Sequence, residues 1–349
     1  MQGGPAGRSP PERYDDGVPE HPRRAAFNTA GLLSVVAGAA LFAVVLWRAN
    51  PREVWQGVLG LGWWFSAIVL IAGLRFLARA AAWSACIEPP HRLPILTAFA
   101  GVVAGDTVGN LTPLGPVLGE PAKVAYVRGT LPGGVALTAL AIENLLYSLS
   151  AAAMIAAGTL ALLFAFEPPP EIRQIGEFAV GAVLVLFAVS LFLLWRRPAL
   201  LSRWIPLVAK QGTTLHSKTE RVQALEQEVY TFASRRPGAM LIVGGCEAAF
   251  HALGVVEAYI TLQAITGASP TILTCFILET AQRLMTVVFK VVPFQMGVGE
   301  LGTAAVTNVL GLGATLGVTV AVVRKARMAA WALVGAFLLA RRGIRPRDL

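Results

Sequence analysis

Apolar residues run through this chain in long blocks separated by short polar or Pro/Gly-rich punctuation. A helix needs about 20 mostly apolar residues to cross a bilayer. Blocks 27–47, 58–87, 134–166, 178–195, 239–265 and 316–340 meet that length, although 58–87 carries Arg75 and Arg79 and 316–340 carries Arg324. Three further apolar pieces, 95–111, 120–128 and 301–310, are short, and a fourth, 271–292, runs into a break. They flank two breaks, "TPLGPVLGEP" at 112–121 and "VPFQMGVGEL" at 292–301. Each flanking pair is expected to form a re-entrant hairpin, because irregular backbone at membrane depth is tolerated only where protein or a wet cavity covers it. The expected fold is an all-α polytopic membrane protein with six spanning helices and two opposed re-entrant helical hairpins.

Charge gives this arrangement an orientation. With the arginines of the N-terminal tail placed inside, the basic stretches "WRRPALLSRW" and "RRGIRPR" also fall inside, and the acidic loop "EPPPEIRQIGE" falls outside. That distribution obeys the positive-inside rule, with Arg48 and Arg52 as a mild exception. Both termini are thus expected in the cytoplasm, and the setting is expected to be a bacterial inner membrane. Residues 1–26 are polar and rich in Pro and Gly, the composition of a disordered tail. One membrane domain is expected over 27–343, with repeat halves 27–166 and 172–343 and a basic tail at 344–349. The loop 198–236 contains Leu215, Val222, Leu225, Val229 and Phe232 on one helical stripe. That stripe suits either packing on the protein body or lying on the inner leaflet.

Composition narrows the class. Of 349 residues, 55% are hydrophobic and 14% charged, with a mean hydropathy of +0.63. Soluble domains carry roughly 25% charged residues. The net charge is +9, and most arginines lie in the tails and one central loop, which fits anionic lipid and argues against nucleic acid. Cys86, Cys246 and Cys275 lie in apolar segments without metal-ligand spacing. Glu247 and His251 have the four-residue spacing of a helical metal pair, but no second histidine follows, so no metal and no cofactor are expected. No nucleophile elbow, Walker loop or dinucleotide fingerprint is present, so no enzyme activity is expected.

The two breaks share a skeleton. Pro113/Pro293, Gly119/Gly299 and Glu120/Glu300 each lie 180 positions apart, as do Pro90/Pro270. Paired interrupted segments mark the halves of transporters with inverted repeats. Glu120 and Glu300 at membrane depth each require a cation, a hydrogen-bond donor or a proton. They are expected at the starts of outgoing half-helices, where they either cap the helix or line a polar cavity. Arg324 lies about 12 Å into the last block at helical rise, too deep to snorkel outward. Arg75 and Arg79 share a helical face, and paired guanidiniums suit a phosphate. The alternative for these arginines is internal pairing, such as Arg324 with Glu143 or Glu120. Asp106 and Asn110 share a face of the first half-helix, Lys290 lies near the second tip, and Glu279 and Arg283 form an i,i+4 ion pair. Buried Glu247 and His251 could also relay protons.

The stretch "NLTPLGPVLGEPAKVAYVRG", followed by "AIENLL", resembles the first signature of the lysylphosphatidylglycerol synthase transmembrane family, a group of flippase-like membrane domains. "VVPFQMGVGELGTAAV", then "VVRKARMAAWALVGAFLLARR", resembles the second. The likeness covers roughly 27–343. It departs at Asn144, which follows Glu143 where the family carries arginine. The chain has no room for the aminoacyl-transfer domain that some members add. The resemblance implies translocation of a phospholipid or lipid-linked anionic head group. The alternatives are a non-transporting accessory subunit for a lipid or cell-envelope enzyme and a proton-coupled carrier of a small anion. The partner implied is a membrane lipid; the oligomeric state is left open.

Overall fold

The computed structural model describes residues 51–112, 115–166, 168–196, 234–289 and 292–342, with Trp47, Thr231 and Phe232. The first block at 27–47 apart from Trp47, the loop stripe before Phe232, both tails, Pro113 and Lys290 lie outside the described residues. Every regular element among those described is helical: α1 Pro51–Gly60, α2 Trp64–Ala85, α3 Ile95–Leu111, α4 Gly115–Val127, α5 Gly133–Ala165, α6 Pro170–Arg196, α7 Pro237–Thr266, α8 Ile272–Val288, α9 Val298–Val309 and α10 Ala314–Arg341. A single 3₁₀ turn, Pro293–Gln295, stands before α9. Proline marks several starts. Pro94 and Pro132 are N-caps, and Pro237 opens α7, where its missing N–H breaks no helical bond. Thr271 caps α8 by accepting from the Thr274 N–H at 3.1 Å, and Gly267 closes α7 at φ +70°.

Helices α2, α5 and α7 are long and apolar enough to cross a membrane. Helices α6 and α10 have 27 and 28 residues, but α10 carries Arg324, Lys325 and Arg327. The block expected at 58–87 is instead two helices. The chain turns at Gly62, φ +46°, so that α1 lies against α10 and α7.

The order long, short, short, long occurs twice. Adding 180 to the bounds of α2, α3, α4 and α5 gives 244–265, 275–291, 295–307 and 313–345; α7, α8, α9 and α10 occupy 237–266, 272–288, 298–309 and 314–341. The spacing seen between the two Pro/Gly breaks therefore extends to whole elements.

Helices α3 and α4 form a tight antiparallel hairpin. Gly101 faces Val127, Gly105 faces Gly119 and Lys123, and Gly109 faces Gly115. A Cβ on Gly115 would stand 1.8 Å from the Gly109 carbonyl oxygen, and one on Gly119 would stand 3.0 Å from that of Gly105. The first break is thus shorter than expected: Gly115–Val127 is continuous helix, with Pro121 inside it. Glu120 is the sixth residue of α4 rather than its first. The second break is longer. Phe294 and Gln295 both take φ +50°, a region that costs a side-chain-bearing residue energy.

Among the described residues, buried charges and exposed leucines occur on the same helices. On α2, Leu70, Leu74 and Leu77 face outward while Arg75 is buried. One core joins Trp83, Val102, Val127, Leu140 and Val243 across α2, α3, α4, α5 and α7. Phe76 and Phe99 meet the Trp331 ring edge-on at 5.3 and 5.9 Å, tying α2 and α3 to α10.

Gly115→Ala is expected to destabilise the protein by about 1–3 kcal/mol through overpacking. Gly134→Ala, where a Cβ meets nothing within 4 Å, is the matched control. Thermal melting in detergent checks this, with the first variant melting well below the second.

Candidate functional site

The helices bring a set of buried charges together between them. Arg75 on α2 donates through Nη1 to Glu257 Oε2 on α7 and through Nη2 to Glu279 Oε1 on α8, each at 2.9 Å. Glu279 also accepts from Arg283 Nη2 at 2.7 Å and from Arg324 Nη2 at 3.2 Å. Glu257 accepts from Arg327 Nη1 at 2.7 Å. Four guanidiniums therefore share two carboxylates. Glu257, Glu279, Arg75, Arg283 and Arg324 are all less than 9% exposed. The ring of Phe250 lies 4.6 Å from the Arg75 guanidinium and 4.9 Å from that of Arg283, an apolar surface that still favours cations. Two donors, Arg324 Nη1 and Arg283 Nε, are buried without an acceptor among the described residues.

A second cluster surrounds the first hairpin. Arg79 Nη2 donates to Glu143 Oε2 at 2.9 Å and to Asn144 Oδ1 at 3.2 Å. Asn144 Nδ2 donates onward to Glu120 Oε2, and Lys123 Nζ to Glu120 Oε1, both at 2.9 Å. Asn144, the departure from the family signature, is therefore a relay. It accepts from Arg79 and donates to Glu120, while α2 supplies the arginine that meets Glu143.

The second break is organised differently. Glu300 is completely buried. Its Oε2 accepts from the Gly297 N–H at 2.8 Å, and its Oε1 lies 3.0 Å from Lys325 Nζ. Lys325 also donates to the carbonyls of Phe294 at 2.7 Å and Gln295 at 3.1 Å, the two residues with positive φ. Glu300 thus caps α9 and anchors Lys325. It is not in the walls of the four cavities described among these residues, where the sequence led to the expectation that it would stand with Glu120 and Arg324. The reason is the turn at Phe294–Gln295, which folds the glutamate back onto its own helix start.

Two cavities, about 150 and 480 Å³, lie side by side, share Phe76, Asp106, Asn110, Phe250, Arg283 and Gln295 in their walls, and mix charged with apolar lining. The smaller is lined by Arg75, Arg324 and Arg327, and the larger by Arg79, Glu120, Lys123 and Tyr147. Gly115 and Gly119 from the first break and Val292 and Gln295 from the second face the larger one. Asp106 accepts from Asn110 Nδ2 at 2.8 Å and stands in the wall that the two cavities share.

Most residues singled out in the sequence therefore converge, with different partners. Arg324 meets Glu279, not Glu143 or Glu120. Arg75 and Arg79 share a face but serve separate clusters. Glu279–Arg283 is the expected i,i+4 pair. Gly299 lies in a small pocket beside Lys325 that shares Gln282, Gln295, Arg324 and Met328 with the 150 Å³ cavity; Pro293 begins the 3₁₀ turn. Sequence reasoning missed Arg327, although it lies three positions from Arg324 and so shares its helical face. It also missed Glu257 as a cation partner and Tyr147, which accepts from Arg283 Nη1 at 3.0 Å.

Removing one partner of a buried ion pair typically costs about 3–5 kcal/mol. Glu279→Gln is therefore expected to destabilise the fold by about that amount, more than Glu120→Gln, whose side chain is 34% exposed. Lys325→Met is expected to free the second break and speed amide hydrogen exchange at 293–300 relative to 112–120. Denaturant melts and hydrogen-exchange mass spectrometry check these two outcomes.

A family model described as "Lysylphosphatidylglycerol synthase TM region" matches residues 31–336. Comparison with curated proteins and with solved structures gives no match. The matched region spans both breaks and every helix of the charged clusters. The chain is an integral membrane protein that belongs to the lysylphosphatidylglycerol synthase transmembrane family.

Proposed function

We propose that this protein moves a lipid with an anionic head group between membrane leaflets. The carrying observation is the cationic lining of the two adjoining cavities. Arg75, Arg79, Arg283, Arg324, Arg327 and Lys123 face them against Asp106, Glu120, Glu257 and Glu279, with Glu143 behind Arg79. The remaining excess is one positive charge, which suits a phosphodiester. Arg324 Nη1 and Arg283 Nε lack acceptors among the described residues, and guanidinium grips phosphate in a directional way.

In this reading the six spans are the block at 27–47 with α2, α5, α6, α7 and α10. The hairpins α3–α4 and α8–α9 enter from opposite faces, as the inverted halves require. Helices of 12 to 17 residues reach about 18–25 Å at helical rise, against a hydrocarbon core of about 30 Å. Each hairpin can therefore bring its break to membrane depth and no farther. The head group crosses through the adjoining cavities while its tails stay in lipid. The positive-inside distribution of basic residues supports cytoplasmic termini. The chain does no bond-making chemistry and needs no cofactor.

The test uses purified protein in phosphatidylcholine vesicles carrying head-group-labelled phosphatidylglycerol, with leaflet exchange read by surface quenching. Wild type is expected to accelerate exchange, and Arg324→Ala to reduce it at least about tenfold, the equivalent of losing one charge-assisted hydrogen bond. Absence of exchange with wild type favours an accessory role beside a lipid-synthesis enzyme. Competition by free glycerol phosphate favours a carrier of soluble anions.

A further inference from the structure

Beside the cavity lies a titratable cluster that the anion site does not use. Glu247 on α7 is 3% exposed, yet no cation pairs with it among the described residues. Its Oε2 lies 3.2 Å from Ser150 Oγ on α5, and its Oε1 is buried without a partner. His251, one helical turn along α7, places Nε2 3.1 Å from the same Ser150 oxygen, and its Nδ1 is also buried without a partner. Ser150 Oγ is within 2.9 Å of the Tyr147 carbonyl as well. Glu247 does not reach His251 Nδ1, so this is not the arrangement that activates a serine nucleophile.

Counting protons defines what the cluster can do. A serine hydroxyl has one hydrogen to give and two lone pairs to offer. When Ser150 donates to the Tyr147 carbonyl, its lone pairs can accept from a protonated Glu247 and from His251 Nε2–H. When Glu247 is ionised, the hydroxyl must turn and donate to it. The two schemes keep the same heavy atoms and differ by one proton and one hydroxyl rotation. An ionised, unpaired carboxylate at this depth is costly, which gives the protonated scheme its stability.

The cluster touches the anion cavity through Tyr147. The Tyr147 ring stacks near His251, with centroids 6.3 Å apart and planes 10° apart, and it carries the Arg79 guanidinium 3.8 Å from its centroid. Arg283 holds its hydroxyl. The charged and titratable groups acting on Glu247 and His251 are Arg75, Arg79 and Cys86 at or on α2, Glu143 and Tyr147 from α5, Glu279 and Arg283 from α8, and Cys246 from α7 itself. An anion that draws on Arg79 and Arg283 removes positive field from this cluster. Anion binding and proton binding then favour each other, and linkage makes the coupling reciprocal.

We propose that Ser150, Glu247 and His251 form a one-proton site that couples movement of the anionic head group to movement of a proton in the same direction. The proton is taken from water onto Glu247 on one side and returned to water on the other; no other bond changes. This inference rests on the anion-carrying reading of the cavity, and its test separates the two.

The full chain is reconstituted in phosphatidylcholine vesicles with labelled phosphatidylglycerol, and exchange is followed with and without a transbilayer pH gradient. Infrared difference spectra between acid and alkaline buffer are recorded on the same preparations. Wild type is expected to respond to the gradient severalfold and to give a carboxylic-acid carbonyl band. Glu247→Gln is expected to lose that band and the gradient response while keeping gradient-independent exchange. Ser150→Ala is expected to keep the band at a shifted frequency. Wild-type exchange that ignores the gradient, or a spectrum in which Glu247→Gln removes nothing, overturns the coupling and leaves lipid movement standing. No wild-type exchange at all, with the Glu247 band intact, overturns the lipid reading and leaves the proton site.

Discussion

Glu279 is the point on which the interior depends. Its carboxylate receives hydrogen bonds from Arg75, Arg283 and Arg324, groups drawn from α2, α8 and α10. Charges buried this deeply are costly unless geometry and additional hydrogen bonds compensate. Here the compensation is shared: Glu257 takes the other arm of Arg75, and Phe250 faces two guanidiniums. No one of these helices can keep its charge buried without the others. The polar centre therefore sets how the helices associate, since their outward surfaces are as apolar as lipid and offer little preference of their own.

Around this centre, close backbone contact replaces side-chain packing. The α3–α4 hairpin brings glycine against glycine, and α10 meets α3 where Gly335 faces the Thr107 hydroxyl. That economy of volume leaves room for the adjoining cavities between hairpin and arginines. It also explains why a Pro/Gly-rich run could form helix at 115–127. Pro116, in the first turn, breaks no bond, Pro121 forfeits one inside the helix, and the glycines are needed where the two helices of the hairpin touch.

How much of this could be read from the chain depended on separation. Runs of apolar residues gave the long helices, and the 180-residue spacing of Gly119–Glu120 and Gly299–Glu300 anticipated the repeated order of elements. The Glu279–Arg283 pair was legible because its members are neighbours on one helix. The partners of Arg75 lie 182 and 204 positions away, and no local pattern signals them. Arg79 shows the limit most clearly: its face was legible, but its association with Glu143 across 64 positions was not. Proline and glycine also misled in one respect, suggesting unwound chain where α4 is helical. The opposite fates of Glu120 and Glu300 were invisible because their local sequences match.

Those opposite fates bear on mobility. Glu120 is held mainly by Lys123, which rides on the same helix, and only the Asn144 contact ties it to α5. Glu300 is bound to Lys325 of α10, and that same ammonium grips two backbone carbonyls of the turn. Sliding the first hairpin past its neighbour breaks one such tether, whereas sliding the second breaks three together. Two hairpins that occupy matching places in the order of helices are thus anchored unequally, the first by one tether to a neighbouring helix and the second by three.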